Sequence, residues 1–352
     1  MVQRREHRRA VLKFGIAAVA AGFATPSLAA LAQSTPAAGA SSGESLTLYS
    51  GQHESLANAL AEGFEAATGV AVSVRAGSDS DLANQIIEEG DKTNADVFIT
   101  EEPGPAATLD AQGLLAPIDA TSLAKTDTRF NPDNGHWLAY AARSRVIFYN
   151  PESIAERDLP ASILDLVDAR WQGQFAYAPT GAFTGTVAYL INTLGADDTL
   201  AWLQGIQQNG ENLLKNGAIR DAVEAGQIPF GLSNHYYWYI LAKEKGGPDQ
   251  LTSRVHYMQG QDPGGLVFAS AAAIPAAAKH PDLAQQFVGW LADADGGQAI
   301  IAAQSPQFPL APGVESSFGL PPLSELDPPI FDQGTLKDSD QAVALILEAG
   351  II

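Results

Sequence analysis

The 352-residue chain contains no cysteine, so it has no disulfide framework, no thiolate metal site and no thiol for a lipid anchor. Basic residues are also scarce, 20 Lys and Arg against 40 Asp and Glu, a formal charge of −20 that argues against nucleic acid or an anionic membrane surface as a partner. Long apolar runs are missing after the first thirty residues. Three catalytic signatures are absent as well: no Gly-x-Ser-x-Gly elbow between strand and helix, no His-Glu-x-x-His helix and no Gly-x-x-x-x-Gly-Lys phosphate loop. The chain is therefore expected not to be an enzyme.

What is present begins with an export signal. Arg4, Arg5, Arg8 and Arg9 precede an apolar stretch from Phe14 to Ala24, and Ala30-Leu31-Ala32 supplies a small-residue cleavage site. His7-Arg8-Arg9-Ala10-Val11-Leu12-Lys13 resembles a twin-arginine motif with Val11 in place of the more usual phenylalanine, which favours that route over Sec. Removal of residues 1–32, with five basic residues and Glu6, takes the charge from −20 to −24. Residues 33–44, rich in Ala, Ser, Pro and Gly, read as a disordered leader, and the destination is the periplasm.

The remaining length exceeds what one core accommodates, so two lobes are expected. Leu46–Tyr49 reads as a strand, Leu56, Leu60 and Phe64 follow at helical spacing until Gly69, Val70–Val74 is a second strand, Ser78–Ser80 cap a helix through Glu89, and Ala95–Thr100 is a third strand ending at Glu101-Glu102-Pro103. A second series runs through Gln174–Ala178, a helix from about Thr184, another from near Asp197, Asn216–Gly226 and the strand Ile228–Leu232. Alternation of this kind implies mainly parallel sheets flanked by helices. Ligands of such sheets bind beyond the carboxyl ends of the strands, where His53 and Glu101 both fall. The extended runs Ala141–Tyr149 and Gly265–Ile274 are the expected hinge crossovers, giving lobe I as 45–143 plus 267–318 and lobe II as 144–266 plus 319–352.

At the last of these strand ends stands Ser233-Asn234-His235-Tyr236-Tyr237-Trp238-Tyr239. Such a run also suits the packing face of a helix. Adjacent phenols are, however, good ligands for one kind of cation: a hard trivalent ion that selects anionic oxygen and is acidic enough to displace the phenol proton.

Five blocks carry a family resemblance over nearly the whole mature chain: Tyr49-Ser50-Gly51-Gln52-His53, Ala95-Asp96-Val97-Phe98-Ile99-Thr100-Glu101, Arg143-Ser144-Arg145-Val146, Pro179-Thr180-Gly181-Ala182-Phe183 and Asn234-His235-Tyr236-Tyr237-Trp238. They resemble the ferric-ion-binding proteins of bacterial ABC importers, within the type II periplasmic binding proteins. The resemblance implies a two-lobed α/β fold with the ligand cleft between the lobes. It further implies Fe3+ held by His53, Glu101, Tyr236 and Tyr237, and a synergistic phosphate or carbonate at Thr180, Gly181, Ala182, Asn216 and Asn234. Delivery would be to an inner-membrane permease, by a monomer.

Some positions depart from the pattern. The family's Pro-Thr-Ser-Gly-Ala-Phe is one residue shorter here, so Thr180 stands in for a serine, and Arg143 and Arg145 keep open a variant in which arginine holds carbonate. Glu102 competes with Glu101 as the acidic ligand. Asp79 and Asp81 read as helix-cap residues. His235 is expected beside the ligands or facing solvent, and His136, His256 and His280 have no ligand spacing. The same fold could instead hold a polyamine, sugar, thiamine or oxyanion, with the aromatic residues and Glu101 as walls for an amine.

Overall fold

Leu46 and Leu48 are fully buried while Ser45 is exposed, the alternation of a strand with one face in a core, and Ser45–Ser50 form β1. The structure is a computed structural model describing residues 45–337 and 339–352; the export signal and leader expected over 1–44 lie outside these residues. From His53 the chain turns into α1 (Glu54–Thr68), which ends where Gly69 takes φ 79° and returns its N–H to Glu65. β2 (Ala71–Ala76), α2 (Asp79–Glu89), β3 (Val97–Ile99) and α3 (Pro103–Ala111) complete a parallel βα series in which β1 lies between β2 and β3.

A short β4 (Leu115–Ala116) and α4 (Ala120–Leu123) lead to β5 (Trp137–Tyr149), thirteen residues that are all buried. The second βα series comprises β6 (Phe175–Tyr177), α5 (Ala182–Leu194), α6 (Ala196–Asn209), β7 (Glu211–Asn212), α7 (Asn216–Glu224), β8 (Phe230–Asn234) and α8 (His235–Lys245). After β9 (Arg254–His256) the chain returns along β10 (Val267–Pro275), followed by α9 (Pro281–Leu291), α10 (Gly297–Gln304), β11 (Phe308–Pro309) and α11 (Ser339–Glu348).

The principal strand order is β2-β1-β3-β10-β5-β8-β6-β7. Strands within each βα series run parallel, while β5 and β10 are antiparallel to each other and to the strands they join, β5 to β8 and β10 to β3. β5 contains the expected crossover Ala141–Tyr149 and β10 all but the first two residues of Gly265–Ile274, and both strands contribute to the cores on both sides. Leu138 and Tyr140 of β5 pack with Leu46, Phe64 and Phe287, whereas Ile147 of the same strand packs with Phe175, Phe183 and Trp202. The fold is two-lobed α/β, and α11 packs Ala342, Leu345 and Ile346 into the core that holds Trp202.

β8 runs two residues beyond the apolar stretch that announced it, because its pairing with β5 continues to Arg145 opposite Asn234. The extension sets the two tyrosines on the first turn of α8. Underneath, Gly231 meets α7: a β-carbon there would stand 2.3 Å from Ile219 Cγ2 and 3.3 Å from the Ala176 carbonyl. Gly231→Ala is expected to cost about 1–3 kcal/mol, as overpacking does, seen as a lower urea midpoint at unchanged slope.

Candidate functional site

His53 caps α1 just beyond β1, and Glu101 and Glu102 follow β3 directly, with Glu102 at the cap position of α3. Parallel pairing of β1 and β3 brings these two strand ends together, so that His53 Nε2 lies 3.5 Å from Glu101 Oε1. Buried polar groups hold the loops in place. Gln52 donates to the Tyr140 hydroxyl at 3.0 Å and accepts from His53 N at 3.0 Å and from Gln307 Nε2 at 3.1 Å. Ser270 donates to the Glu101 carbonyl at 3.3 Å. Tyr140 and Ser270 belong to the crossover strands, so the strands that join the lobes also brace the candidate ligands.

Asp79 has a different role from the cap chemistry its sequence suggests. Ser78 performs the capping, accepting from Asp81 N, while the Asp79 carboxylate accepts from Glu101 N at 3.0 Å and Glu102 N at 2.9 Å. Gly51 makes room for it, since a β-carbon there would sit 1.6 Å from Asp79 Oδ1. Although part of Asp79 faces a cavity, burial pushes its pKa up to about 7 against the pull of the two amides. Two backbone amides sharing one carboxylate is a tertiary contact across 22 and 23 residues, and no local pattern announces it.

Opposite, Tyr236 and Tyr237 occupy the second and third positions of α8 and stack at 4.3 Å between ring centroids. Tyr236 meets His53 edge to face at 5.9 Å. His53, Glu101 and the tyrosine pair thus converge from three segments distant in sequence. The helix start does not acidify Tyr236: burial, then the charge of Glu101, then Tyr237 push its pKa well above the ordinary phenol value. A ligand cation, not the helix, must displace that proton. Nor does His235 face solvent. It is fully buried, its Nδ1 accepts from Ser144 N at 3.1 Å, and burial brings its pKa down to about 3. Its Nε2 lies near the Pro306 carbonyl without a well-formed hydrogen bond.

The two arginines of β5 diverge. Arg143 Nη1 donates to the Glu101 carbonyl and Nη2 contacts the Glu102 carboxylate, while Arg143 also stands 3.9 Å from Glu101 Oε1. Desolvation opposes its charge, but Glu102 and Glu101 outweigh that and raise its pKa. Arg145 Nη1 donates to Asn234 Oδ1 at 2.7 Å, and desolvation lowers its pKa to about 10. Glu101 and Glu102, which only the family resemblance separated, part company: Glu101 turns to His53 and Glu102 to Arg143.

Of the anion candidates, Gly181 caps α5 at φ 55°, a conformation suited to glycine, with Thr180 exposed beside it and Ala182 buried. Asn216 starts α7 and accepts from Ser233, which precedes Asn234, so these two asparagines are neighbours through one hydroxyl. A cavity of ≈ 410 Å³ is lined by Asp79, Glu101 and Glu102 on one side and Gly181, Thr184 and Gly185 on the other. Among the described residues, no three His, Cys, Asp or Glu side chains gather as a metal site, so a metal here needs the tyrosines. His136, His256 and His280 each pair with a carboxylate, Asp110, Glu156 and Asp96 respectively.

A family model described as bacterial extracellular solute-binding protein matches residues 59–323. The chain is 35% identical over 314 residues to the Fe(3+)-binding periplasmic protein of Serratia marcescens, covering 89% of this chain and 92% of that one. It is 36% identical to the major ferric iron-binding protein of Neisseria meningitidis serogroup B, with coverage of 92% and 96%. Its fold superimposes on iron-bound HitA from Pseudomonas aeruginosa at a TM-score of 0.81 and 41% identity, covering 87% of this chain and 99% of that structure.

Proposed function

The chain belongs to the bacterial extracellular solute-binding proteins, and from that footing we propose that it is the periplasmic receptor of an ABC importer that captures ferric iron. The iron would pass from it to an inner-membrane permease. The observation that carries the reading is the meeting of His53 and Glu101, from one pair of strand ends, with the tyrosine pair on α8. Glu101 and two phenolates match the charge of Fe3+, and imidazole adds a neutral donor. A hard ion with three anionic oxygens fits this donor set better than an amine does, because Arg143 lies beside the same carboxylates.

Ligands drawn from both lobes make closure and capture one event, since the closed state alone offers the full set. In this reading lobe I comprises 45–143 and 267–318, lobe II comprises 144–266 and 319–352, and β5 and β10 flex between them. The protein works as an exported monomer without catalytic turnover, its residues 1–32 removed after twin-arginine or Sec export. A small oxyanion at Thr180, Gly181, Ala182, Asn216 and Asn234 belongs to the family pattern. Both arginines already face protein oxygens, which weighs against an arginine-held carbonate.

The test is to strip the mature protein with a ferric chelator, add ferric citrate with phosphate or carbonate, and record the visible spectrum. A tyrosinate-to-iron charge-transfer band is the expected result. No band under any anion would overturn the reading and direct the search to organic solutes.

Asp79 supplies a further prediction. Asp79→Ala frees the amides of Glu101 and Glu102 and is expected to weaken iron retention about 10–100-fold, the range for groups that orient a ligand, while the band keeps its position because the tyrosines are untouched. Asp79→Asn retains one acceptor oxygen for both amides and should recover most of the loss in a competition titration against citrate.

A further inference from the structure

Glu102 lines the cavity beside Glu101, and the proposed ligand set leaves it without a task. Its carboxylate lies against the guanidinium of Arg143, a side chain with no exposed surface. Its Oε1 also stands 3.4 Å from where a β-carbon on Gly181 would be, which puts it against the first turn of α5. The unpaired amides of a helix start favour negative charge. Asp79, accepting from Glu102 N at 2.9 Å, fixes the backbone from which this carboxylate projects. A buried guanidinium and a helix start are the features an external oxyanion would use, and here both face a carboxylate of the chain itself. The other buried guanidinium, Arg145, is turned to Asn234.

We propose, resting on the ferric reading above, that Glu102 is the resident anion of this site. Its carboxylate takes the place of external phosphate or carbonate, so iron capture does not depend on a second solute. The charges are consistent: Glu101 and two phenolates balance Fe3+, and Glu102 balances Arg143. An external oxyanion at the start of α5 would have to displace Glu102 from Arg143 before it could seat.

The experiment uses the metal-free mature protein in CO2-free buffer without phosphate, with iron supplied as ferrous chloride and oxidised on the protein by oxygen gas freed of CO2. Wild type is expected to develop the tyrosinate band without added anion and to keep the same absorbance maximum when phosphate or carbonate is added. Glu102→Gln, which preserves size and removes the charge, is expected to gain about tenfold or more in iron retention on adding either anion, with a maximum that differs between the two. A wild-type band that requires an added anion, or that moves with its identity, overturns the proposal whatever the variant does. That outcome leaves the ferric reading intact, whereas the absence of any wild-type band under every anion removes both.

Discussion

Tyr237→Phe is expected to lower ferric affinity by more than about a hundredfold, beyond the loss expected when a group that merely orients a ligand is removed. The substitution takes away one oxygen and leaves the ring that stacks on Tyr236 at 4.3 Å, so the first turn of α8 keeps its packing. A fall in affinity therefore reports the phenolate. Tyr236→Phe has the same sign, and because burial and Glu101 hold the Tyr236 phenol protonated before a cation binds, this variant should release fewer protons on binding iron. Citrate competition followed by the visible band checks the affinity, and a lightly buffered titration with a pH indicator counts the protons. Wild-type affinity in either variant would remove that tyrosine from the site.

The second large effect falls on stability. Arg143→Met should destabilise the metal-free protein by about 3–5 kcal/mol, because removing one partner leaves the other charge buried without compensation. Arg143 meets the Glu101 carbonyl, the Glu101 carboxylate at 3.9 Å and the Glu102 carboxylate, so three contacts across the crossover strand are lost together. Urea unfolding measures the loss. Adding Glu102→Gln to Arg143→Met should restore part of it, and the double-mutant cycle isolates the Glu102–Arg143 coupling. Full additivity would mean that Arg143 stabilises through its stem and its contacts with Glu101, not through Glu102.

The candidate ligands were legible to different degrees. His53 and Glu101 could be placed together because both follow strands of a parallel series, and parallel neighbours present their carboxyl ends side by side. The tyrosine pair could be placed at a helix start because β8 ends in polar residues ahead of an aromatic run. Asp79 could not be found in this way. A Ser-Asp-Ser triplet before a helix has the same appearance whether its aspartate caps that helix or reaches the amides of a loop 22 and 23 residues on. Of the two positions open to His235, beside the ligands or facing solvent, the sequence could not choose: a polar residue at a helix start is ordinarily wet, and the packing of Phe308 at 4.7 Å and the amide of Ser144 close over this one next to Tyr236.

The two βα series, the likeness to ferric-binding proteins and the residue types available as ligands could all be read along the chain. The series follow from periodicity, the likeness from five sequence blocks, and the ligand types from the affinity of phenolate and carboxylate for a hard cation. Only the tertiary structure decided which of two adjacent carboxylates faces His53 and which faces Arg143, and that Asp79 holds both by their amides. Those choices depend on where β5 lays a buried guanidinium against the loop after β3. A buried charge takes the partner that the packed backbone brings within reach, and that partner is set by the fold and not by its neighbours along the chain.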